Sequence, residues 1–228
     1  MAKDPSISLN RLALYINSKS ARQREILRQR KYPEEEFNLG TYHIESREAI
    51  SQYLADGADD TSIIHKSIQS LTQLAPPKVG TQRRINANID VLERFLELLD
   101  KLDFKGGSPS LGQHNPPKLK VHSLPICVHP DINLNGEGPK GKKYIGAIKL
   151  QLSRANAFDD DMAGYVSAVL QEYCKEYFAH NGEIVYAPYC QVIDVGSANV
   201  FGGVKSTAQR LKDIDAACHT IVDLWPSI

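Results

Sequence analysis

The chain has 228 residues, 42% of them hydrophobic, with 27 Lys and Arg balanced by 27 Asp and Glu. That length suits one sizeable core, and the zero net charge removes overall basicity as a source of nucleic-acid affinity while leaving local patches open. No stretch has the apolar length of a membrane span, Met-Ala-Lys-Asp-Pro at the N-terminus has no apolar signal region, and Cys127, Cys174, Cys190 and Cys218 show no CxxC spacing. These features lead to the expectation of a soluble cytoplasmic protein with free thiols, no zinc or iron–sulfur centre and no membrane partner.

The first hundred residues read as helices. Ser8 is placed to cap a helix with Leu9, Leu12, Ala13 and Ile16 on one face. Ser18 or Ser20 opens a second, basic helix that ends near Pro33. A third covers Glu45 to Leu54 and stops near Gly57. Asp59-Asp60-Thr61 starts a fourth, with Ile63, Ile64, Ile68 and Leu71, and Pro76-Pro77 ends it. Thr81 to Leu102 has the clearest helical stripe, Ile85, Ile89, Leu92, Phe95, Leu96 and Leu99.

Residues 105–117 are rich in Gly, Pro, Ser and Asn and read as a loop joining the helical part, 1–104, to a mixed part, 118–228. Beyond it the period shortens to two. One strand holds Leu119, Val121 and Leu124, a second runs from Ile126 to Leu134, and Asn135-Gly136 with Gly138 and Gly141 forms a turn. A third strand, Lys143 to Ser153, is apolar on both sides at its centre, as a central strand is. Asp159-Asp160-Asp161 favour the start of a helix reaching about Ala179. Strands at Tyr189–Val195 and Val200–Val204 follow, then a final helix with Leu211, Ile214, Cys218, Ile221 and Leu224. The expected class is α+β or α/β: a central mixed sheet of about five strands flanked by helices, with a helical N-terminal part. The order from residue 81 is α-βββ-α-ββ-α.

Pro130-Asp131 closes one apolar run, and Ala147-Ile148-Lys149 lies in the next. This pattern resembles the signature of the PD-(D/E)XK nuclease superfamily, in which Pro-Asp is followed by an acidic residue, any residue and Lys. The superfamily's core order, α-βββ-α-β, agrees with the order read from periodicity. A Gln near a Tyr in the helix after the Lys strand, here Gln171 with Tyr173, resembles RecB-like and Cas4-like members, as does the opening segment from Ser8 to Arg24. The cysteine of the Cas4-like start is missing.

The resemblance implies a nuclease: a hydrolase that cleaves DNA with magnesium or manganese in a defence, repair or mobile-element setting. It implies that Asp131 holds the metal, that the carbonyl of Ile148 is a further ligand, that Lys149 acts on water or the transition state, and that Gln171 orients them. Phosphodiester hydrolysis needs the cation to neutralise charge and activate water, and magnesium requires one or two carboxylates. Ala147 stands where the second carboxylate belongs. Within the family's habits that acid can come from the following helix, where Glu172 is nearest, or from Glu93 or Glu97. The rival expectation is a catalytically inactive nucleic-acid- or protein-binding subunit on the same scaffold.

A second feature points the same way. Lys19, Arg22, Arg24, Arg28, Arg30 and Lys31 cluster with Glu25 alone among them, a pattern suited to following a phosphate backbone, and the resemblance implies DNA more than RNA as the partner. Arg83, Arg84, Lys118 and Lys120 are candidates for the same surface. His129, beside Pro130-Asp131, and His122 are further candidates for metal or phosphate contact.

Overall fold

The computed structural model describes residues 3–33, 42–76 and 78–228. Its centre is a mixed sheet whose strands run in the order β2 (Ser108–Leu111), β5 (Ile132–Gly138), β6 (Lys142–Gln151), β8 (Gln191–Asp194), β9 (Asn199–Phe201). The short β7 (Ile184–Val185) also pairs with β6. β6 is antiparallel to β5 and parallel to β8, which fixes it as the central strand. A second small sheet joins β1 (Ile7–Ser8), β4 (Leu124–Cys127) and β3 (Leu119–Val121). A mixed sheet covered by helices is therefore the architecture, as its apolar central strand requires.

Helices cover both faces of the large sheet. One face holds α1 (Leu9–Ile16), α6 (Asp160–Tyr177) and α7 (Ala208–Leu224), with Leu12, Tyr15, Ala147, Val169, Tyr173 and Val192 in their shared core. The other holds α3 (Ile44–Ala55), α4 (Ser62–Thr72) and α5 (Val79–Leu96), packed on Ile132, Leu134, Ile148 and Leu150. α2 (Ser20–Lys31) folds back on α1 and buries Ile26 and Leu27. The N-terminal helices thus do not form a layer of their own: α1 and α2 sit across the sheet from α3 to α5.

Local sequence accounts for most elements. Leu9, Leu12 and Ala13 are the buried stripe of α1. Asp159 caps α6, its carboxylate accepting from the Met162 N–H at 2.8 Å, and Asp160 and Asp161 lie in the first turn. Pro76 lies past the end of α4, and Pro77 falls outside the described residues.

Three expectations are corrected. Leu119 to Leu124 is a hairpin, β3 and β4, turned at His122, whose φ is 51°. Ile126 to Leu134 is two strands in two sheets, β4 and β5, separated at Val128–Asp131. His129 there adopts φ 46°, and Pro130 has no N–H to give a ladder, so an apolar run that reads as continuous is broken by backbone geometry. The loop at 105–117 contains β2, whose Pro109 is tolerated because β2 is an edge strand.

Gly112 packs against this break. Its N–H donates to the Asp131 carbonyl at 2.9 Å, and a Cβ there would lie 2.0 Å from the Pro130 carbonyl oxygen. Backbone cannot yield as a flexible side chain does, so Gly112→Ala is expected to destabilise by about 1–3 kcal/mol or more. Gly202→Ala, where a Cβ meets nothing within 4 Å, should change stability by about 0.5 kcal/mol or less. Paired thermal melts compare the two, and equal melting temperatures would remove Gly112 as a spacer of the site.

Candidate functional site

β5 and β6 bring Asp131 and Lys149 together. Ile132 pairs with Ile148, and the same antiparallel register carried one residue outward sets Asp131 opposite Lys149. The Asp131 N–H donates to the Ile148 carbonyl at 2.9 Å. Because the chain turns away at Pro130, the Asp131 carboxylate occupies the ladder position that β5 has left: Oδ2 accepts the Leu150 N–H at 2.8 Å. The same oxygen accepts Lys149 Nζ at 2.9 Å, while Oδ1 accepts from Arg47 of α3. Lys149 Nζ also donates to the His129 carbonyl at 2.6 Å, which the left-handed backbone of His129 turns toward it.

The result is one carboxylate between two cations in a nearly dry setting. Side-chain exposure is 2% for Asp131, 8% for Lys149 and 33% for Arg47. Burial opposes ionisation of Asp131, but Arg47, Lys149 and the Leu150 N–H outweigh it and hold the carboxyl down at about 2. Burial pulls Lys149 below its ordinary value, with Asp131 opposing that shift and Arg47 adding to it. A buried pair in this geometry is a lock between elements more than a source of net stability.

This donor set does not suit a magnesium or manganese ion. Both Asp131 oxygens are taken by cationic or N–H donors, and a metal there would have to displace Lys149 or Arg47. Ala147 is fully buried in the α1/α6 core and offers no donor. The Ile148 carbonyl accepts the Asp131 N–H, and the Ile148 side chain packs in the opposite core. Among the described residues no group of three or more His, Cys, Asp or Glu is arranged to hold a metal. The chemistry supplied here is charge fixation: a rigid, net positive cluster at the mouth of the β5–β6 pair.

The other sequence candidates lie apart from this cluster. Gln171 is buried on α6, and its amide donates to the Val204 carbonyl at 2.8 Å and Ser167 Oγ at 3.4 Å, tethering the segment after β9. Glu172 is half-buried on the outer side of α6 and accepts from Lys175. Glu93 is exposed on α5, and Glu97 is exposed just past its end. His129 Nε2 contacts the His114 carbonyl at 3.1 Å, and His122 Nε2 pairs with Asp215 of α7 at 2.9 Å.

The basic helix separates into two sets. Lys31 is buried, donating to the Trp225 and Ile228 carbonyl oxygens at 2.8 and 3.2 Å, and Arg30 donates to the Ser6 carbonyl and hydroxyl. These two residues fasten α2 to the body. Lys19, Arg22, Arg24 and Arg28 are exposed, with Arg28 paired to Glu25 at 2.9 Å. Arg11 of α1 joins this surface. It is partly buried, and desolvation, then Arg30 and Arg22 nearby, lower its pKa, so positive charge accumulates between α1 and α2.

Arg47 and Arg11 are what sequence reading missed. Arg47 lies on the inward face of α3, three residues before Ile50 and seven before Leu54, both fully buried. A charged residue inside an apolar stripe was the available signal, since such a residue is rarely buried without a partner. Arg11 had only its proximity to the basic segment.

No family model matches the chain, and neither does any curated protein.

Proposed function

We propose that this protein is a non-catalytic PD-(D/E)XK-like subunit that binds nucleic acid, DNA in preference to RNA, through the exposed basic face of α1 and α2. The observation that carries this reading is the sharing of the Asp131 carboxylate between Lys149 and Arg47. A hydrolytic site needs that carboxylate free for a cation and a second acid beside it. Here a second cation, Arg47, stands beside it, and an alanine fills the acid's position on β6. Phosphate contact needs no metal, only accessible cations, and Lys19, Arg22 and Arg24 supply them.

The test is a paired assay on purified protein. With magnesium or manganese present, single-stranded, duplex and nicked DNA should remain intact. Labelled oligonucleotides should bind with an affinity that falls with salt. Three phosphate contacts, one each from Lys19, Arg22 and Arg24, on a single strand give a slope of roughly −2 in log K against log salt. Arg22→Ala combined with Arg24→Ala should reduce that slope by roughly 1.4 without altering the melting temperature. Metal-dependent cleavage that disappears in Asp131→Ala would overturn the reading in favour of a nuclease.

A further inference from the structure

Arg11, Arg30, Arg47, Arg84, Arg94 and Arg210 are the half-buried arginines among the described residues. All but Arg11 donate to an acceptor of the chain: Arg30 to Ser6, Arg47 to Asp131, Arg84 to Glu45, Arg94 to Asp90 and Val195, and Arg210 to Asp161. Arg11 forms no hydrogen bond or ion pair with a described residue. Its nitrogens are not sealed in, whereas the Nε of Arg94 and of Arg210 is. A guanidinium has five N–H donors and is seldom withdrawn from water without a counter-charge, so the counter-charge of Arg11 has to come from outside the chain.

Two tethers between α1 and α2 set where Arg11 stands. At one end Arg30 donates to the Ser6 carbonyl at 3.1 Å and the Ser6 hydroxyl at 2.6 Å, and at the other Gln23 Nε2 donates to the Tyr15 carbonyl at 3.0 Å. The two helices therefore run antiparallel, and Arg11, midway between Ser6 and Tyr15, is level with the part of α2 between Arg22 and Arg30. Those two residues and the buried Ile26 are spaced by four positions, so they follow one stripe of α2. Desolvation first, and then the like charges of Arg30 and Arg22, hold Arg11 below its ordinary pKa. No acid of these helices answers them: α1 has none, and Glu25, the one acid of α2, accepts from Arg28 and Gln29.

We infer that Arg11, flanked by Arg22 and Arg30, holds one phosphate group of a bound strand. This names the anchoring point of the proposed nucleic-acid binding and rests on that reading for the strand, while the oxyanion site itself rests on the unpaired Arg11. Phosphate oxygens match the planar fork of a guanidinium, which can give them two parallel N–H bonds. Arg22 is exposed and supplies a second cation from the solvent side, whereas Arg30 is held by Ser6 and adds its field. Partial desolvation makes the pairing with Arg11 stronger than one with an exposed side chain such as Lys19. Without a ligand the site gathers like charges that oppose one another, and an anion relieves them.

Thermal melts in inorganic phosphate, against sodium chloride of equal ionic strength, test the site. At about ten times its Kd, phosphate should raise the melting temperature by roughly 3–6 °C. Arg11→Met should lose that rise, and in chloride it should melt no lower than the wild type, because Met keeps the apolar stem and removes an unpaired charge. The general stabilisation by phosphate salts acts on both proteins and cancels in the difference. Should Arg11→Met melt early, Arg11→Lys keeps the charge and the stem and should still lose most of the rise along with the fork. Fluorescence anisotropy with a labelled DNA 12-mer should show roughly tenfold weaker binding in both variants. A phosphate effect that depends on Arg11, with no oligonucleotide bound, assigns the site to a free phosphate compound and removes the strand and the nucleic-acid reading together. An equal phosphate rise in wild type and variants, with unchanged affinity for the 12-mer, overturns the Arg11 site and leaves the α1/α2 interface standing.

Discussion

Asp131→Asn should be among the most damaging single substitutions in this protein, with a loss of about 3–5 kcal/mol, because it leaves Lys149 and Arg47 at a buried position without their counter-charge. The pH dependence identifies the cause. In the wild type the folded-state carboxyl is held at about 2, below its unfolded value near 3.8. The associated stability is complete above pH 4 and is lost as pH falls through the range from 4 to 2. A shift of nearly two units corresponds to roughly 2–3 kcal/mol. Asp131→Asn should lack that acid-dependent loss.

The variant should also gain stability as pH rises. Asp131 is the group that raises the pKa of Lys149 against burial and Arg47. Without it the folded-state pKa of Lys149 drops further below the unfolded value, the unfolded chain binds more protons, and stability increases with pH. Adding Lys149→Met should recover part of the loss, since an apolar replacement removes the uncompensated charge. Urea titrations of the three proteins from pH 3 to pH 9 would measure this. A flat profile for Asp131→Asn, or no recovery in the double variant, would mean that the cluster does not hold the sheet as described.

The second large effect concerns the alanine in the motif. Ala147→Glu rebuilds the acidic residue of the PD-(D/E)XK pattern, yet it places a carboxylate at a position with no solvent exposure, inside the core shared by α1 and α6. Burying a charge carries a penalty of several kcal/mol unless a partner is at hand. Lys149, the nearest cation along the strand face, is already committed to Asp131 and the His129 carbonyl. The expected result is a loss of several kcal/mol in stability and no metal-dependent cleavage of DNA. Calorimetry with magnesium and manganese and a plasmid cleavage assay decide it. A variant that melts near the wild-type temperature and cuts DNA with magnesium would show the scaffold to be a nuclease lacking one residue.

These outcomes bear on how far the sequence could be read. That Asp131 and Lys149 share a site was legible only through the family resemblance, while the apolar run around Lys149 made a buried Lys conspicuous and called for a cleft or a carboxylate beside it. Six of the seven described α-helices were legible from apolar spacing, α6 also from its acidic start, and the basic α2 from the flanking Ser18, Ser20 and Pro33. The edge strand β2 was not, because Gly, Pro and Ser give a loop composition, and only pairing with β5 makes it a strand. The break at Val128–Asp131 was hidden because its cause is the left-handed backbone at His129, and histidine has no strong signature for that conformation.

The basic segment shows the same division within a dozen residues. Its charge was plain, but charge alone does not say which side chains are free. The structure spends Arg30 and Lys31 on carbonyls of Ser6, Trp225 and Ile228, and leaves Lys19, Arg22 and Arg24 to solvent. Gln171, set near a Tyr as in the family pattern, turns to the Val204 carbonyl instead of Lys149.

The sequence by itself determined the helical stripes, the two-residue alternation of the central strands and the local charge of α2, since each depends on residues a few positions apart. Tertiary structure decided which side chains reach Asp131, Arg47 as well as Lys149. Arg47 lies 84 positions away and arrives only because α3 packs on the sheet beside β2 and β5. No local periodicity encodes such a partner, and in a dry pocket that partner decides what a carboxylate can do.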